Sequence, residues 1–181
     1  MRRRHLLAGL ASAGALGGAG LVASGNVPDG LGFGDSAEPI APTTLKTVEA
    51  PGSRDGEVTV PVDGRPTFVD FFGTWCPPCA EQMPALVEAH DRLGDEVRFV
   101  SVTTEDVGGV VSEETVADWW REHDGDWLVA ADVAAELAAR LNVGSYPSAR
   151  AVDADGRVRW ATSGTHTADE FVDGIERALD R

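Results

Sequence analysis

Apolar residues recur along the chain with two different periods, and these periods predict where strands and helices form. A β-hairpin is predicted by two alternating runs, LKTVEAP and GEVTVPV, which flank the turn-forming segment GSRDG. Buried strands are predicted by two nearly continuous apolar runs, PTFVDFF and VRFVSVTT, and by the shorter run DWLVAAD. A closing pair of strands is predicted by YPSARAVDADGRVRWAT, which contains the turn pair Asp155-Gly156.

Four helices are predicted between and after these strands, because apolar residues there are spaced three or four positions apart. The first begins at Cys76 and ends near Leu93, and Pro84 within it is expected to bend it. The second is SEETVADWWREH, in which a serine suited to N-capping precedes two acidic residues. The third and fourth are VAAELAARLNV and TADEFVDGIERAL.

The predicted order of elements is β-β-β-α-β-α-β-α-β-β-α, which indicates an α/β fold. Alternating strands and helices favour a central, mostly parallel sheet with helices on both faces. The closing hairpin adds antiparallel strands, so the sheet as a whole is expected to be mixed. An N-terminal β-hairpin precedes this alternating part.

The N-terminal end has the layout of an export signal or N-terminal anchor, which we assign to residues 1–25. It begins MRRRH and continues as an uncharged Ala/Gly/Leu run, close to the about 20 residues that span a bilayer. The pair Arg3-Arg4, one residue before two leucines, resembles the twin-arginine consensus; an ordinary secretory signal is the alternative. Gly, Pro, Ala and acidic residues dominate 26–43, a predicted flexible linker, so the folded domain is predicted over 44–181.

The chain is strongly acidic, with 30 acidic residues against 15 basic ones and a formal net charge of -15. Such a surface repels phosphate backbones, which argues against nucleic acid as a partner. Lys46 is the only lysine. An acidic, lysine-poor composition resembles that of proteins from extreme halophiles, although a high-GC genome also favours arginine over lysine.

The chain has two cysteines, Cys76 and Cys79, which could form a structural staple, a metal site or a redox couple. A staple is disfavoured because so short a loop gives little chain-entropy benefit. A zinc site is disfavoured because it needs about four ligands. The histidines show no ligand spacing: they are His5, His90, His123 and His166.

A redox couple is the interpretation that the surrounding sequence favours. Cys76 follows a buried strand and opens a helix, where the helix dipole and free N–H groups favour a thiolate. Cys79 lies one turn into the helix, where it is shielded but close enough to resolve a mixed disulfide. Cys76 is thus the predicted nucleophile and Cys79 the resolving thiol, with no metal and no dissociable cofactor.

The motif GTWCPPC resembles the thioredoxin superfamily, and specifically its exported branch of TlpA/ResA-like thiol-disulfide oxidoreductases. The likeness covers about 44–180 and is carried by three features. They are the WCxxC motif with Pro84, an extra helix-strand unit between about 104 and 131, and the segment NVGSYPSARAVDADGRV. The resemblance implies a thioredoxin-like fold in which Pro147 is a cis-proline packed opposite the cysteines.

Asp70 lies six residues before Cys76, an offset at which thioredoxins have a buried acid behind the second cysteine. A carboxyl desolvated in a strand has a raised pKa and can accept the proton of Cys79 near neutral pH. We therefore predict a catalytic set of four residues: Cys76, Cys79, Asp70 and Pro147. Substrate docking is predicted for four residues around this set: Trp75, Pro77, Pro78 and Tyr146.

Two positions depart from the family pattern. Gln82 stands where many members of this branch have a glutamate, so acid-base chemistry is expected to rest on Asp70. Arg150 stands where the family strand usually has a large apolar residue; a buried arginine needs a partner, expected to be Asp70 or Asp153. Three tryptophans of the inserted unit are expected to pack in the core: Trp119, Trp120 and Trp127.

The sequence predicts an extracytoplasmic enzyme that reduces disulfides of exported proteins. Pro77 and Pro78 lack N–H donors that would stabilise the Cys76 thiolate, which favours an electron donor over a strong oxidant. The resemblance implies a membrane thiol as electron source and cytochrome c maturation as one pathway. Two alternatives stay open, a thiol oxidase or isomerase and a copper-binding assembly factor. Copper carriers on a related fold have three residues between their cysteines and a distal histidine, for which His166 is the candidate.

Overall fold

A computed structural model describes residues 38–180 of the chain, and its elements follow the predicted order. The strands are β1 (Thr43–Thr47), β2 (Gly56–Val60), β3 (Thr67–Phe72), β4 (Arg98–Thr103), β5 (Leu128–Ala131), β6 (Ser148–Val152) and β7 (Val158–Ser163). The helices are α1 (Pro77–Leu93), α2 (Glu113–Glu122), α3 (Glu136–Arg140) and α4 (Ala168–Leu179).

The seven strands of the described residues form one sheet in the order β2-β1-β5-β4-β3-β6-β7. Strands β3, β4 and β5 are mutually parallel, and the other pairings are antiparallel. The mixed α/β architecture is confirmed, but the expectation of a mostly parallel sheet is wrong. The reason is that the N-terminal hairpin joins one side of the sheet through antiparallel pairing of Lys46 and Thr47 with β5. The closing hairpin lies on the other side of the sheet and is also antiparallel.

Strand β3 carries buried side chains on both faces, which explains its continuous apolar run. Phe68 and Phe72 face a core that also contains buried residues of α1, α2 and α4. Val69 and Phe71 face a second core that contains buried residues of α3. Helices therefore cover both faces of the sheet, and the two cysteines belong to the core that contains Phe68 and Phe72.

Helix α2 begins at the predicted N-cap, because the Ser112 hydroxyl accepts the Thr115 N–H at 3.0 Å. Its buried face packs on the end of β3, where Trp119 stacks on Phe72 with ring centroids 4.7 Å apart. The expectation that the tryptophans of this unit pack in the core is confirmed for all three: Trp119, Trp120 and Trp127.

Helix α3 is shorter than the run VAAELAARLNV that predicted it. The Asp132 carboxylate accepts the N–H groups of Glu136 and Ala138 at 2.8 and 2.9 Å. Ala135 adopts a left-handed conformation with φ of 52°. The residues before Glu136 therefore form a capped turn after β5 rather than the first turn of the helix.

Arg150 in β6 is buried as expected, but the acidic partner predicted for it is wrong. Its guanidinium donates to four backbone carbonyls at 2.8 to 3.1 Å: those of Leu141, Ala149, Thr162 and Asn142. Asp70 cannot reach it, because Arg150 pairs with Val69 and shares the opposite face of the sheet. Asp153 is paired with Arg159 at 2.6 Å instead.

The packed domain begins slightly earlier than predicted. The Ile40 N–H donates to the Gly156 carbonyl at 2.8 Å. Arg140 donates to the backbone carbonyls of the two residues after Ile40, at 2.8 and 3.1 Å. Residues 40–43 were assigned to the linker from composition, but they contact the domain through these backbone groups and through the Ile40 side chain, which packs against the core that contains Val69 and Phe71.

Predictions for the N-terminal end fall mainly outside the described residues. They are the export signal or anchor at 1–25 and the linker up to residue 37. Among residues 38–180, no helix combines the length and the apolar character needed to cross a membrane.

Candidate active site

The two cysteines form a disulfide at the N-terminus of α1. Strand β3 ends at Phe72, three residues turn the chain, and Cys76 takes the N-cap position. Hydrogen bonds close this turn, from the Cys76 N–H to the Gly73 carbonyl and from the Cys79 N–H to the Cys76 carbonyl, each at 3.0 Å. The positive end of the helix dipole therefore lies at Cys76, where it favours a thiolate after reduction.

Pro77 and Pro78 occupy the first two positions of α1. An N-cap side chain normally accepts a hydrogen bond from the N–H of the second or third helical residue. The second residue is Pro78, which has no N–H, and within residues 38–180 the Cys76 side chain makes no capping hydrogen bond. Cys76 thus has the dipole of a helix start but lacks one of its two usual direct donors.

The predicted docking residues Trp75 and Tyr146 meet beside the cysteines. Trp75 is 67% exposed and contacts Tyr146 edge to face, with ring centroids 6.0 Å apart. The Tyr146-Pro147 peptide bond is cis, as the family resemblance implied. Strand β6 begins beside the end of β3. Pro147 therefore lies at the same end of the sheet as the turn that leads from β3 to the cysteine pair.

Asp70 is enclosed in the centre of the sheet, with 2% of its surface exposed. Its position in β3 directs it to the same side as Phe68 and Phe72, towards the core that contains both cysteines. The carboxylate accepts hydrogen bonds from Ser101 Oγ at 3.2 Å and from Gln82 Nε2 at 3.4 Å. Burial raises the pKa of Asp70 from 3.8 to about 7, and the Ser101 hydrogen bond opposes part of that rise.

The polar surroundings of Asp70 were not predicted. Ser101 lies directly beside Asp70 on β4, and Trp127 Nε1 donates to the Ser101 hydroxyl at 3.0 Å. The Ser101 oxygen accepts the hydrogen bond from Trp127, and the Ser101 hydroxyl donates its own proton to Asp70. The sequence offered one sign of these surroundings. Ser101 is a polar residue inside the apolar run VRFVSVTT, as Asp70 is inside PTFVDFF.

Glu105 is a second feature that the sequence analysis missed. Its carboxylate accepts hydrogen bonds from Thr74 N–H at 2.8 Å, Thr74 Oγ1 at 2.7 Å and Thr103 Oγ1 at 2.9 Å. The neighbouring Thr104 shares a 2.5 Å hydrogen bond with the Tyr146 hydroxyl. The segment after β4 therefore contacts both the turn before the cysteines and Tyr146, a residue predicted to dock the substrate. The position of Glu105 just after β4 could have indicated such a role, because functional residues gather at the carboxyl ends of parallel strands.

Replacing Glu105 with glutamine is expected to lower the free energy of unfolding by about 1.5–3 kcal/mol, because a charged acceptor is lost. Asp106→Asn removes the same charge from the exposed neighbouring residue and is expected to change it by less than about 0.5 kcal/mol. Denaturant unfolding of the oxidised proteins measures both values. Equal effects of the two variants would contradict the role of Glu105 in holding the turn.

His166, the candidate distal copper ligand, has other partners. Its Nε2 lies 2.5 Å from Thr162 Oγ1, and its Nδ1 lies 3.6 Å from Glu170 Oε2. Within residues 38–180, no three histidine, cysteine, aspartate or glutamate side chains are grouped so that they could hold a metal ion. The structure therefore does not join His166 and the cysteine pair into one ligand set.

Comparison with known proteins gives matches along the whole domain. The family model for Redoxin matches residues 41–179. The chain is 26% identical over 115 residues to the thiol-disulfide oxidoreductase ResA of Bacillus cereus, which is 63% of this chain and 64% of that protein. It is 22% identical over 150 residues to the sporulation thiol-disulfide oxidoreductase A of Bacillus subtilis, 81% of this chain and 87% of that protein.

The alignment with ResA thus spans less than two thirds of that protein's length. Among solved structures, the crystal structure of StoA from Bacillus subtilis matches with a TM-score of 0.60 at 22% sequence identity. That match covers 75% of this chain and 98% of the StoA chain. The structural match supports the thioredoxin-like fold expected from the sequence.

Proposed function

Because the chain belongs to the Redoxin family, we propose that it is a thiol-disulfide oxidoreductase that works through the Cys76–Cys79 disulfide. One observation carries this proposal: the disulfide lies at a helix N-terminus, in a core faced by a buried carboxyl whose pKa is near neutral. The names of the relatives ResA and sporulation thiol-disulfide oxidoreductase A are consistent with this activity.

In the proposed reaction, the reduced protein gives two electrons to a partner disulfide. The Cys76 thiolate attacks one partner sulfur, a mixed disulfide forms, and the other partner sulfur leaves and takes up a proton. The Cys79 thiol then passes its proton to the Asp70 carboxylate and attacks Cys76 Sγ. The mixed disulfide breaks, the released partner sulfur takes up a proton so that the partner leaves as a dithiol, and the Cys76–Cys79 disulfide forms again. A dithiol donor returns the protein to its reduced state.

Reduction of insulin disulfides tests this proposal. The purified full chain, freed of metal by a chelator, is expected to accelerate the reduction of insulin by dithiothreitol. A matched variant with both cysteines replaced by serine is expected to leave the uncatalysed rate unchanged. A chain that binds stoichiometric copper and gives no acceleration would contradict the proposal and favour a copper-binding assembly factor.

Pro78 is proposed to keep the redox potential towards the reducing side, because it removes the N–H that would otherwise bind the Cys76 thiolate. A hydrogen bond to a charged group is worth about 1.5–3 kcal/mol, which corresponds to about 30–65 mV for a two-electron couple. The Pro78→Ala variant is therefore expected to shift the potential by that amount in the oxidising direction.

Pro77→Ala is the matched control, because the N–H of the first helical residue is not the usual donor to an N-cap side chain. Its shift is expected to be less than half that of Pro78→Ala. Titration of both variants against glutathione measures the potentials. Equal shifts, or a more reducing Pro78→Ala protein, would contradict this explanation.

The proposed partners are disulfide-containing exported proteins. Trp75 and Tyr146 form the exposed apolar contact beside the disulfide, and together with Pro77 and Pro78 they are proposed to dock the partner chain. We further propose export through residues 1–25 by the twin-arginine route, with this segment acting either as a signal or as an N-terminal membrane anchor. A membrane thiol as electron donor and a role in cytochrome c maturation follow from the likeness to the ResA-like branch.

A further inference from the structure

The Gln82 side chain occupies an unusual place in the redox centre. It lies in α1 three residues after Cys79, so the two side chains are neighbours on one side of the helix. Both residues are buried, each with 2% of its surface exposed. A buried glutamine needs hydrogen-bond partners for both halves of its amide, because bulk solvent does not reach it.

Only one half of this amide has a partner among the described residues of the oxidised structure. Gln82 Nε2 donates to Asp70 Oδ1 at 3.4 Å, whereas the buried Gln82 Oε1 accepts no hydrogen bond from residues 38–180. Among the described residues, the one other buried side-chain atom in this condition is Thr43 Oγ1. Thr43 lies on β1 and pairs with β2, outside the core that holds the cysteines. An unpaired buried acceptor destabilises the state in which it occurs.

The redox state of the cysteine pair changes what surrounds this acceptor. Reduction by a dithiol breaks the Sγ–Sγ bond, and the dithiol becomes a disulfide as it gives up two electrons and two protons. Each cysteine of the protein then ends as a thiol. Cys79 Sγ, which has no hydrogen to donate in the disulfide, becomes an S–H donor. The reduced protein thus gains a donor one helical turn from the unpaired Gln82 oxygen.

We propose that Gln82 is a redox-responsive bridge: in the reduced protein its Oε1 accepts a hydrogen bond from Cys79 S–H while its Nε2 holds Asp70. This inference rests on the proposed redox function of the cysteine pair. The bridge satisfies both halves of the amide in the reduced state but only one half in the oxidised state. Gln82 therefore shifts the redox equilibrium towards the dithiol, opposite in direction to the effect of Pro78.

The bridge also positions Cys79 for the second step of the reaction. Gln82 contacts the resolving thiol with one end and the proton acceptor Asp70 with the other. It undergoes no covalent change and acts through these two residues, so it is a positioning residue. Two cross-strand neighbours also flank Asp70: Ser101, which donates to its second oxygen, and Ala149, which has a small side chain.

The equilibrium of the full chain with reduced and oxidised glutathione tests the proposal. Gln82→Leu and Gln82→Met both replace the amide with an apolar group of similar size. They remove the unpaired oxygen together with the Nε2 donor to Asp70, a hydrogen bond that both redox states share. Each is expected to shift the equilibrium constant about tenfold towards the disulfide, which is about 30 mV in the reducing direction. Two variants are used because a packing defect in one of them would not reproduce the same shift in the other.

Thr43→Val is the matched control, since it removes the other unpaired buried oxygen at a distance from the cysteines. It is expected to change the stability of both redox forms equally and to leave the equilibrium constant within twofold of the parent chain. A shift of less than twofold in both Gln82 variants, or a shift towards the dithiol, would overturn the proposal. A parent chain that does not exchange with glutathione would contradict the proposed function instead.

A vibrational measurement detects the bridge directly. The Cys76→Ser chain contains Cys79 as its only thiol, so its infrared S–H stretching band belongs to that residue. The band is expected at a lower frequency in this variant than in the Cys76→Ser, Gln82→Leu double variant, because a hydrogen bond weakens the S–H bond. The same frequency in both proteins would overturn the proposal whatever the equilibrium measurement gives.

Discussion

A Cys76→Ser chain is expected to reduce protein disulfides at least about 1,000-fold more slowly than the parent chain, because the attacking thiolate is lost. Serine at this position still receives the helix dipole, but a hydroxyl does not ionise near neutral pH. Cys79 cannot replace the missing nucleophile. In the disulfide form the two cysteines are about equally buried, with 4% of Cys76 and 2% of Cys79 exposed. They differ in position, because Cys76 takes the N-cap beside the exposed Trp75 whereas Cys79 lies inside the first turn of α1, so a partner disulfide is expected to reach Cys76 first.

The effect is measured as the single-turnover rate at which the reduced protein reacts with a disulfide-bridged peptide. Cys79→Ser is the matched variant, because it keeps the first attack and loses only the resolving step. It is expected to consume the peptide disulfide once at a rate close to that of the parent chain and then to stop. A Cys76→Ser chain that reacts faster than the Cys79→Ser chain would show that the two roles are reversed.

An Asp70→Asn chain is expected to resolve mixed disulfides about 100-fold more slowly above pH 7, because a proton acceptor for Cys79 is lost. In the parent chain the resolving rate should rise with pH as the Asp70 carboxyl ionises around its pKa of about 7. Below that pH, Asp70 is protonated and cannot accept, so the parent and variant rates should converge. Stopped-flow measurement of the resolving step from pH 5 to 9 records both the rise of the parent rate and its convergence with the variant rate at low pH.

The same variant is expected to be more stable than the parent chain at alkaline pH. Burial raises the pKa of Asp70 from 3.8 to about 7, so the carboxyl ionises in the unfolded chain at lower pH than in the folded one. The folded state therefore loses stability as the pH rises from about 4 to about 7. Asp70→Asn removes this loss, which amounts to about 4 kcal/mol above pH 7 and vanishes below about pH 4.

Slower resolution combined with higher stability separates a chemical role of Asp70 from simple damage to the core. Ser101→Ala supplies a further control, because it keeps the carboxyl but removes a hydrogen bond that favours its ionised form. The rising limb of its rate profile is expected to move to higher pH. An Asp70→Asn chain with unchanged resolving rates at pH 8 would rule out Asp70 as the proton acceptor.

Part of this site could be predicted from local sequence, because its chemistry depends on neighbours in the chain. The apolar strand that precedes the cysteines was expected to end at Gly73. Cys76 and Cys79 then lie at the start of a helix whose first turn contains two prolines. Asp70 was recognisable because it interrupts a run that is otherwise apolar on both faces of the sheet. The cis conformation before Pro147 could not come from local pattern and was expected only from the family resemblance.

Other parts of the site depend on contacts between segments far apart in the chain. Glu105 meets Thr74 across 31 positions, and nothing near either residue in the sequence indicates that they touch. The partner of Arg150 was predicted wrongly because charge was expected to pair with charge, whereas backbone carbonyls after α3 and in β6 and β7 satisfy it. The antiparallel pairing of β1 with β5 was not predicted either, because tertiary packing decides how so short a strand pairs.

Mass spectrometry of a trapped mixed disulfide tests most directly whether Cys76 is the attacking thiol. The reduced Cys79→Ser chain is mixed with a disulfide-bridged peptide, quenched with acid and digested. One peptide adduct on Cys76 is predicted, while the Cys76→Ser chain treated in the same way should carry less than a tenth as much. No adduct on either chain, or an adduct that forms as readily on Cys79, would contradict a thiol-disulfide exchange centre that begins at Cys76.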